Sequence, residues 1–392
     1  MVEGAGLKIA RRVTDLRPYL FAEIDRKLEE KRAQGVKVIS FGIGDPDVPT
    51  PGPVVERLCR EARNPANHRY PSYLGLEAFR KAAAEWMGRR FGVDIDPQRE
   101  VVSLIGSKEG IAHLPLVFVD PGDTVLVPDP GYPVYASSVL FTGGLAYDMP
   151  LRAENDFLPD LEGIPAHVAR RACLMFLNYP NNPTAAVADL DFYERVVRFA
   201  EKYDIIVAHD IAYSEITFDG FVAPSILQVP GAKARCLEFH SLSKTFNMTG
   251  WRIGFVAGGA ELVNLFGKVK TNIDSGIFNP VQYAGIEALT TQENFVRDMC
   301  EVYRRRRDLL LACLRSRGWE APTPRGTIYV WMAVPQGFDS ASFATLLLEE
   351  VAVAVAPGSA YGDAGEGYVR FSLSLTDAEL EEGIWRLETL RL

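Results

Sequence analysis

The chain has 392 residues, 47% of them apolar, with 42 Lys and Arg against 51 Asp and Glu for a formal net charge of -9. That length suggests two or three packed units able to bury a large core without staples, and the acidic balance repels a phosphate backbone, so nucleic acid is not an expected partner. The five cysteines, Cys59, Cys173, Cys236, Cys300 and Cys313, form no C-x-x-C pair, which argues against a disulfide framework or structural zinc and for a reducing, cytoplasmic setting.

In chain order, the start MVEGAGLKIARRVTDL has no apolar run suited to a signal peptide. Residues 77–91 read as a helix with Phe79, Ala83, Trp86 and Phe91 toward the core. Between 101 and 258 short runs recur, each bounded by turn residues: VVSLIG, TVLVPDPG, ACLMFLNYP, IIVAHD, CLEFHS and IGFVAGG. Apolar on both faces, they predict buried parallel strands. The stretch DLDFYERVVRFAEKYD predicts an intervening helix, with Phe192, Val196, Phe199 and Tyr203 on one stripe. Alternating strand and helix implies an α/β fold, a mostly parallel sheet with helices on both faces. Near 286 the texture changes to long charged helices, then the strands TIYVWMAV and GYVRFSLS and a closing helix. The expected division is a large domain over 47–285 and a smaller α+β domain formed by 1–46 and 286–392. The basic run Arg304–Arg307 is expected to solvate one helix face, and Glu349 and Glu350 break the longest late apolar stretch, so no membrane span is expected.

Four stretches carry chemistry. Ser241-Leu242-Ser243-Lys244 through Arg252 follows the strand CLEFH and places two hydroxyls, a lysine and an arginine within twelve residues. A lysine at the end of a buried strand is costly to desolvate as an ammonium, which suits a lysine that forms a Schiff base; a surface-loop lysine is the alternative. The run Val207–Asp210, followed by Tyr213, ends a strand in an acid with a phenol three residues on. Ligands gather at carboxyl ends of strands in such sheets, where an aspartate can hold a ring nitrogen protonated; Asp210 could equally cap the next turn. Leu177–Thr184 closes a strand with polar side chains and two prolines, which a plain β-turn also explains. Ile105-Gly106-Ser107-Lys108 is a strand-to-helix turn able to cradle a phosphate, or simply a Ser-capped helix.

Together these supply a phosphate cradle, a ring-nitrogen acid, a ring-oxygen donor and a Schiff-base lysine, the groups one cofactor, pyridoxal 5'-phosphate, requires. On these residues the chain resembles the fold-type I (class I/II) pyridoxal-phosphate aminotransferases over nearly its whole length. More narrowly, Arg17–Ile24, Phe41–Asp47, His68–Gly75 and Asp129–Tyr135 resemble the diaminopimelate-converting branch of that family.

The resemblance implies the following roles. Lys244 would hold the cofactor covalently and move the proton at the substrate Cα, and Asp210 would pair with the ring nitrogen. Tyr213 and Asn182 would contact the ring oxygen, and Tyr132 would stack on the ring. The phosphate would be held by Ser107 and Lys108, Ser241 and Ser243, and Arg252, whose fork suits bidentate binding. Arg370 would bind the substrate α-carboxylate, with Gly44 approaching it through backbone. Tyr70 would reach the cofactor phosphate of a neighbouring subunit, making the working unit a homodimer. His113, His209 and His240 lack ligand spacing, so no metal is expected and packing accounts for them.

Two departures bear on substrate. Ala185-Ala186 stands where many relatives carry glycine, and 268–285 contains no arginine for a distal carboxylate. A distal end bearing both ammonium and carboxylate, as in diaminopimelate, would suit Asn279 and Lys108 with a partner-subunit acid. The implied activity is exchange of an amino group between LL-diaminopimelate and 2-oxoglutarate in lysine biosynthesis. The alternatives are aspartate, alanine or aromatic amino-acid transamination and, further off, a β-eliminating lyase. A regulator fusing this fold to DNA-binding helices would need more than the roughly 45 residues before Gly44.

Overall fold

The computed structural model describes residues 7–16 and 21–391. Of the stretch Arg17–Ile24, Arg17–Leu20 therefore lie outside the described residues. The strands are β1 (Ile39–Ser40), β2 (Val101–Leu104), β3 (Thr124–Asp129), β4 (Leu145–Pro150), β5 (Ala172–Asn178), β6 (Ile206–Asp210), β7 (Cys236–Ser241), β8 (Gly254–Gly258), β9 (Tyr329–Ala333), β10 (Val353–Ala354), β11 (Ala356–Pro357) and β12 (Tyr368–Ser372). Seven form the main sheet in the order β2-β8-β7-β6-β5-β3-β4. All its pairings are parallel except the two made by β8.

That exception has a local cause. The segment carrying Lys244 and Arg252 that separates β7 from β8 forms only the short helix Leu242–Thr245 and a single turn at Thr249–Trp251, so it turns back at the strand end and makes no crossover over a sheet face. Because β8 runs back, its start at Gly254 pairs with Ser241 and with Leu104, the ends of β7 and β2. The parallel register aligns Asn178 with Asp210 and Asp210 with Phe239. Four chemistry-bearing turns therefore open on one sheet edge.

The helices seal both sheet faces. Helix Leu190–Tyr203 starts where the Asp189 carboxylate accepts the Phe192 amide at 2.8 Å and stops at Asp204, whose φ is 61°. It buries Phe192, Tyr193, Val196, Val197 and Ala200, with Phe199 and Tyr203 half-buried against the same cluster. Helix Glu77–Phe91 buries Phe79, Ala83 and Phe91 as expected, and Trp86 packs on their edge. Among the described residues no helix is long and apolar enough to cross a membrane.

A second cluster surrounds the three-stranded antiparallel sheet β11-β12-β9 and the 24-residue helix Glu293–Ser316. The parallel pair β1-β10 leads Phe41 and the turn after it onto this unit. Here the expectation for Arg304–Arg307 is corrected. Arg304 and Arg305 face water, but Arg306 and Arg307 are 4% and 3% exposed. Arg306 grips Asp47 through both terminal nitrogens at 2.7 and 2.9 Å and reaches Asp377 at 2.8 Å, while Arg307 bonds Asp219 at 2.6 Å. Bidentate pairing allows guanidinium groups to leave water.

Candidate active site

The opening at the sheet edge is a cavity of about 440 Å³ between the two clusters. Twelve of the residues singled out above line it: Gly44, Ser107, Lys108, Tyr132, Asn182, Asp210, Tyr213, Ser241, Ser243, Lys244, Arg252 and Arg370. Tyr70 and Asn279 do not. Tyr70 is 87% exposed, and Asn279 lies half-buried at the start of helix Asn279–Thr291, its side-chain oxygen accepting from Gln282 at 3.4 Å.

Asp210 ends β6 inside the protein. Its Oδ2 accepts from the Tyr135 hydroxyl at 2.9 Å, and its backbone oxygen accepts from Asn178 Nδ2 at 2.8 Å. Among the described residues, its Oδ1 is buried with no hydrogen-bond partner. Burial pushes the carboxyl up to about 6 against the opposing pull of the Tyr135 hydroxyl and of His209. The Lys244 ammonium donates to the Gly44 carbonyl at 2.6 Å. Burial lowers its pKa against the opposing pull of Tyr329 and Asp45, and the neighbouring Arg370 and Arg252 push the same way as burial. Lys244 thus tends toward the neutral amine a nucleophile needs.

Arg252 sits in the left-handed region, φ 54°, and bonds the Thr249 carbonyl at 2.8 Å and the Ser243 hydroxyl at 3.4 Å. A Cβ on Gly106, itself at φ 74°, would lie 2.3 Å from an Arg252 terminal nitrogen. Glycine there lets the guanidinium close over the Ser107 turn. The Ser241 hydroxyl accepts the Ser243 amide at 3.2 Å, and the Lys108 ammonium stands 5.7 Å from the Tyr132 ring centre.

Arg370, on the central strand β12 of its sheet, is 3% exposed. It donates to Asn182 Oδ1 and to the Gly42 carbonyl, each at 2.7 Å, and lies 4.0 Å over the Tyr329 ring. Gly44 is not at a positive φ; what requires a glycine is Tyr329, whose hydroxyl would be 2.0 Å from an added Cβ. Ala185 takes φ 58°, so the residue standing in place of glycine keeps the left-handed turn despite its methyl group.

The histidines depart from simple packing. His209 and His240 both bond Glu238 in a fully buried network, at 3.0 and 2.8 Å, although His240 also stacks on Phe255. His113 bonds Glu109 at 2.8 Å, and Glu109, His113 and Asp274 come close enough to suggest a metal site. The Lys270 ammonium occupies that place, 3.3 Å from Glu109 and 2.6 Å from Asp274. Sequence reasoning overlooked Tyr135, Asn178 and Tyr329. Tyr135 stood in a quoted motif, and β-alternation puts Tyr329 on the face of Trp331, opposite Arg370.

Residues 36–387 match the family model described as aminotransferase class I and II. The chain is 57% identical over 378 residues, 96% of either chain, to a protein of Desulforudis audaxviator named LL-diaminopimelate aminotransferase. A Moorella thermoacetica protein of the same name is 56% identical over 96% of this chain and 97% of its own. Among solved structures, apo-BacF from Bacillus subtilis superposes with a TM-score of 0.94 at 37% identity, covering 98% of this chain and 99% of that one. A mutant Thermus thermophilus aspartate aminotransferase does so with 0.91 at 33%, covering 97% and 99%. The chain therefore belongs to the class I and II aminotransferases, fold-type I enzymes that depend on pyridoxal 5'-phosphate.

Proposed function

We propose that the protein transfers an amino group from LL-2,6-diaminopimelate to 2-oxoglutarate, yielding glutamate and an amino-oxo acid that closes with loss of water to tetrahydrodipicolinate, a step of lysine biosynthesis. The observation that carries this reading is the convergence of Lys244, Asp210, Arg252 and Arg370 on one cavity in a chain that shares more than half its residues with relatives of that name.

The cavity suits pyridoxal 5'-phosphate. The unpartnered, buried Oδ1 of Asp210 is an acceptor whose isolation costs about 1–3 kcal/mol until a donor such as a ring N–H meets it. Bound there, the cofactor supplies an electron sink for the charge left at Cα. Lys244 would hold it and would carry the proton at the substrate Cα. Asp210 would keep the ring nitrogen protonated, Tyr213 and Asn182 would hold the ring oxygen, and Tyr132 would pack on the ring. Ser107, Lys108, Ser241, Ser243 and Arg252 would hold the phosphate. Arg370 takes the α-carboxylate, close to Gly44.

We assign the large domain to 47–285 and the small one to 1–46 and 286–392, packed across the cavity. The working unit is a cytoplasmic homodimer in which Tyr70 and Asn279 serve the neighbouring site. Two segments support it: Phe278 lies against His68, ring centres 6.5 Å apart, and Gly276 against Ser72. Together they expose Tyr70, Tyr73, Ile273 and Phe278, an apolar set suited to burial by a second copy.

Mixing the cofactor-loaded protein with single amino donors and following its visible absorption tests the substrate. Conversion by LL-diaminopimelate and glutamate is expected, with aspartate and alanine slow. Rapid conversion by either of the latter, with diaminopimelate inert, would reject the named substrate and keep the family. Asn279→Ala is expected to raise KM for diaminopimelate about tenfold while leaving glutamate within twofold; equal losses would remove Asn279 from distal recognition.

A further inference from the structure

Three site residues meet one side chain that the reading above gives no role. Tyr329, at the start of β9, is 2% exposed. Its hydroxyl is 3.0 Å from that of Tyr213, and its ring lies 4.0 Å beneath the Arg370 guanidinium. The same hydroxyl fills the space over Gly44, whose carbonyl receives Lys244.

The backbone leading into Tyr329 carries a cost. Thr327, two residues before it, is β-branched, fully buried and at φ 70°, a conformation worth roughly 1–3 kcal/mol of strain. Its amide donates to the Ile216 carbonyl at 2.9 Å, and its hydroxyl accepts the Tyr329 amide at 3.1 Å. The strained residue is thus bonded to the amide of Tyr329 itself.

We propose that Tyr329 is a positioning residue of the transamination site: its ring sets Arg370 for the substrate carboxylate, and its hydroxyl sets Tyr213 for the ring oxygen. The two halves are separable. Arg370 opposes Trp331 across the β9-β12 ladder, so Tyr329 is its diagonal neighbour on one sheet face. A planar ring under a guanidinium fixes the plane of the fork without competing for its outward N–H groups, which go to Asn182 and Gly42 and to a bound carboxylate. The hydroxyl gives the buried Tyr213 phenol a partner of fixed direction, so that its proton and lone pairs are not free to rotate. Burial holds the Tyr213 phenol well above its ordinary pKa, so it stays a neutral donor.

This inference rests on the transaminase reading, and the experiment separates the two. Wild type, Tyr329→Phe, Tyr329→Leu and Tyr213→Phe are loaded with cofactor. For each we would measure kcat and KM for glutamate, the visible absorption maximum, and the Kd of succinate as a dicarboxylate that cannot react. Tyr329→Phe keeps the ring. It is expected to lower kcat at least tenfold, leave KM and succinate Kd within twofold, and move the absorption maximum in the direction Tyr213→Phe moves it. Tyr329→Leu is expected to match that kcat loss and also to weaken succinate and raise KM at least tenfold. Should the leucine variant not retain cofactor, Tyr329→Met takes its place. Unchanged kcat and absorption in Tyr329→Phe, or a succinate Kd that both substitutions shift equally, overturns the proposal. An inactive wild type would instead sink the transaminase reading.

Discussion

Replacing Lys244 by alanine is expected to remove the visible absorption of the cofactor-loaded protein and to cut transamination by on the order of 10⁴-fold, while the unfolding temperature of the cofactor-free protein moves little. Among the described residues the side chain makes one hydrogen bond, to Gly44, and its amine is held below its ordinary pKa by burial. Removing it therefore relieves a desolvated charge and leaves a carbonyl at the wall of a cavity that water can enter. Stability and chemistry should separate cleanly at this position, as they would not for a residue of the core. Absorption that persists, or activity within a hundredfold of wild type, would show that another group carries the covalent link and the proton. A loss of activity matched by collapse of the fold would make Lys244 a structural residue.

The large sheet was legible because its strands announce themselves twice, by unbroken apolar runs and by Gly, Pro and Asp at their ends. β4 carried no such mark. It is an outer strand with only Met149 buried, so burial left no pattern to read. The lysine, the aspartate, the arginine and both hydroxyl clusters lie at strand ends and could be placed from sequence, since a parallel sheet collects such ends on one edge. What sequence concealed was pairing. Arg306 and Arg307 sit in a run of four basic residues, and what pairs them is Asp47, Asp219 and Asp377, all of them far away along the chain. Tyr329 looked like any aromatic of a buried strand until Arg370, Tyr213 and Gly44 were brought against it. His209 and His240 looked like packing because only the β6-β7 register shows that Glu238, two residues before His240, also lies across from His209.

That glutamate gives the largest expected effect on stability. Glu238 is fully buried on the sheet face opposite the cavity: β-alternation turns it and His240 away from Ser241, and the β6-β7 register sets it across from His209. Its Oε1 accepts from His240 Nε2 at 2.8 Å and Ser225 Oγ at 2.7 Å, and its Oε2 from His209 Nδ1 at 3.0 Å and the Ile226 amide at 3.0 Å. Glu238→Ala leaves four donors facing a dry gap, and a loss of about 3–5 kcal/mol is expected at pH 7. Glu238→Gln, which keeps the shape but turns an amide N–H toward donors, should lose about half as much.

The sign of the pH dependence follows from the same contacts. Burial pushes this carboxyl up, but the two histidines outweigh it and hold the folded group at about 2. Its contribution is fully present above the unfolded value near 4.5 and is lost as pH falls from there toward 2, about 1.4 kcal/mol for each pH unit. Asp210 runs the other way. Raised to about 6, it lowers the stability of the cofactor-free protein as pH rises from about 4 to 6. Wild type and Glu238→Ala share that Asp210 term, so subtracting their urea unfolding free energies isolates Glu238. The difference should be constant from pH 7 to 5 and smaller by about 2 kcal/mol at pH 3. A difference that stays flat to pH 3 would mean that the folded carboxyl is not held low by its buried partners.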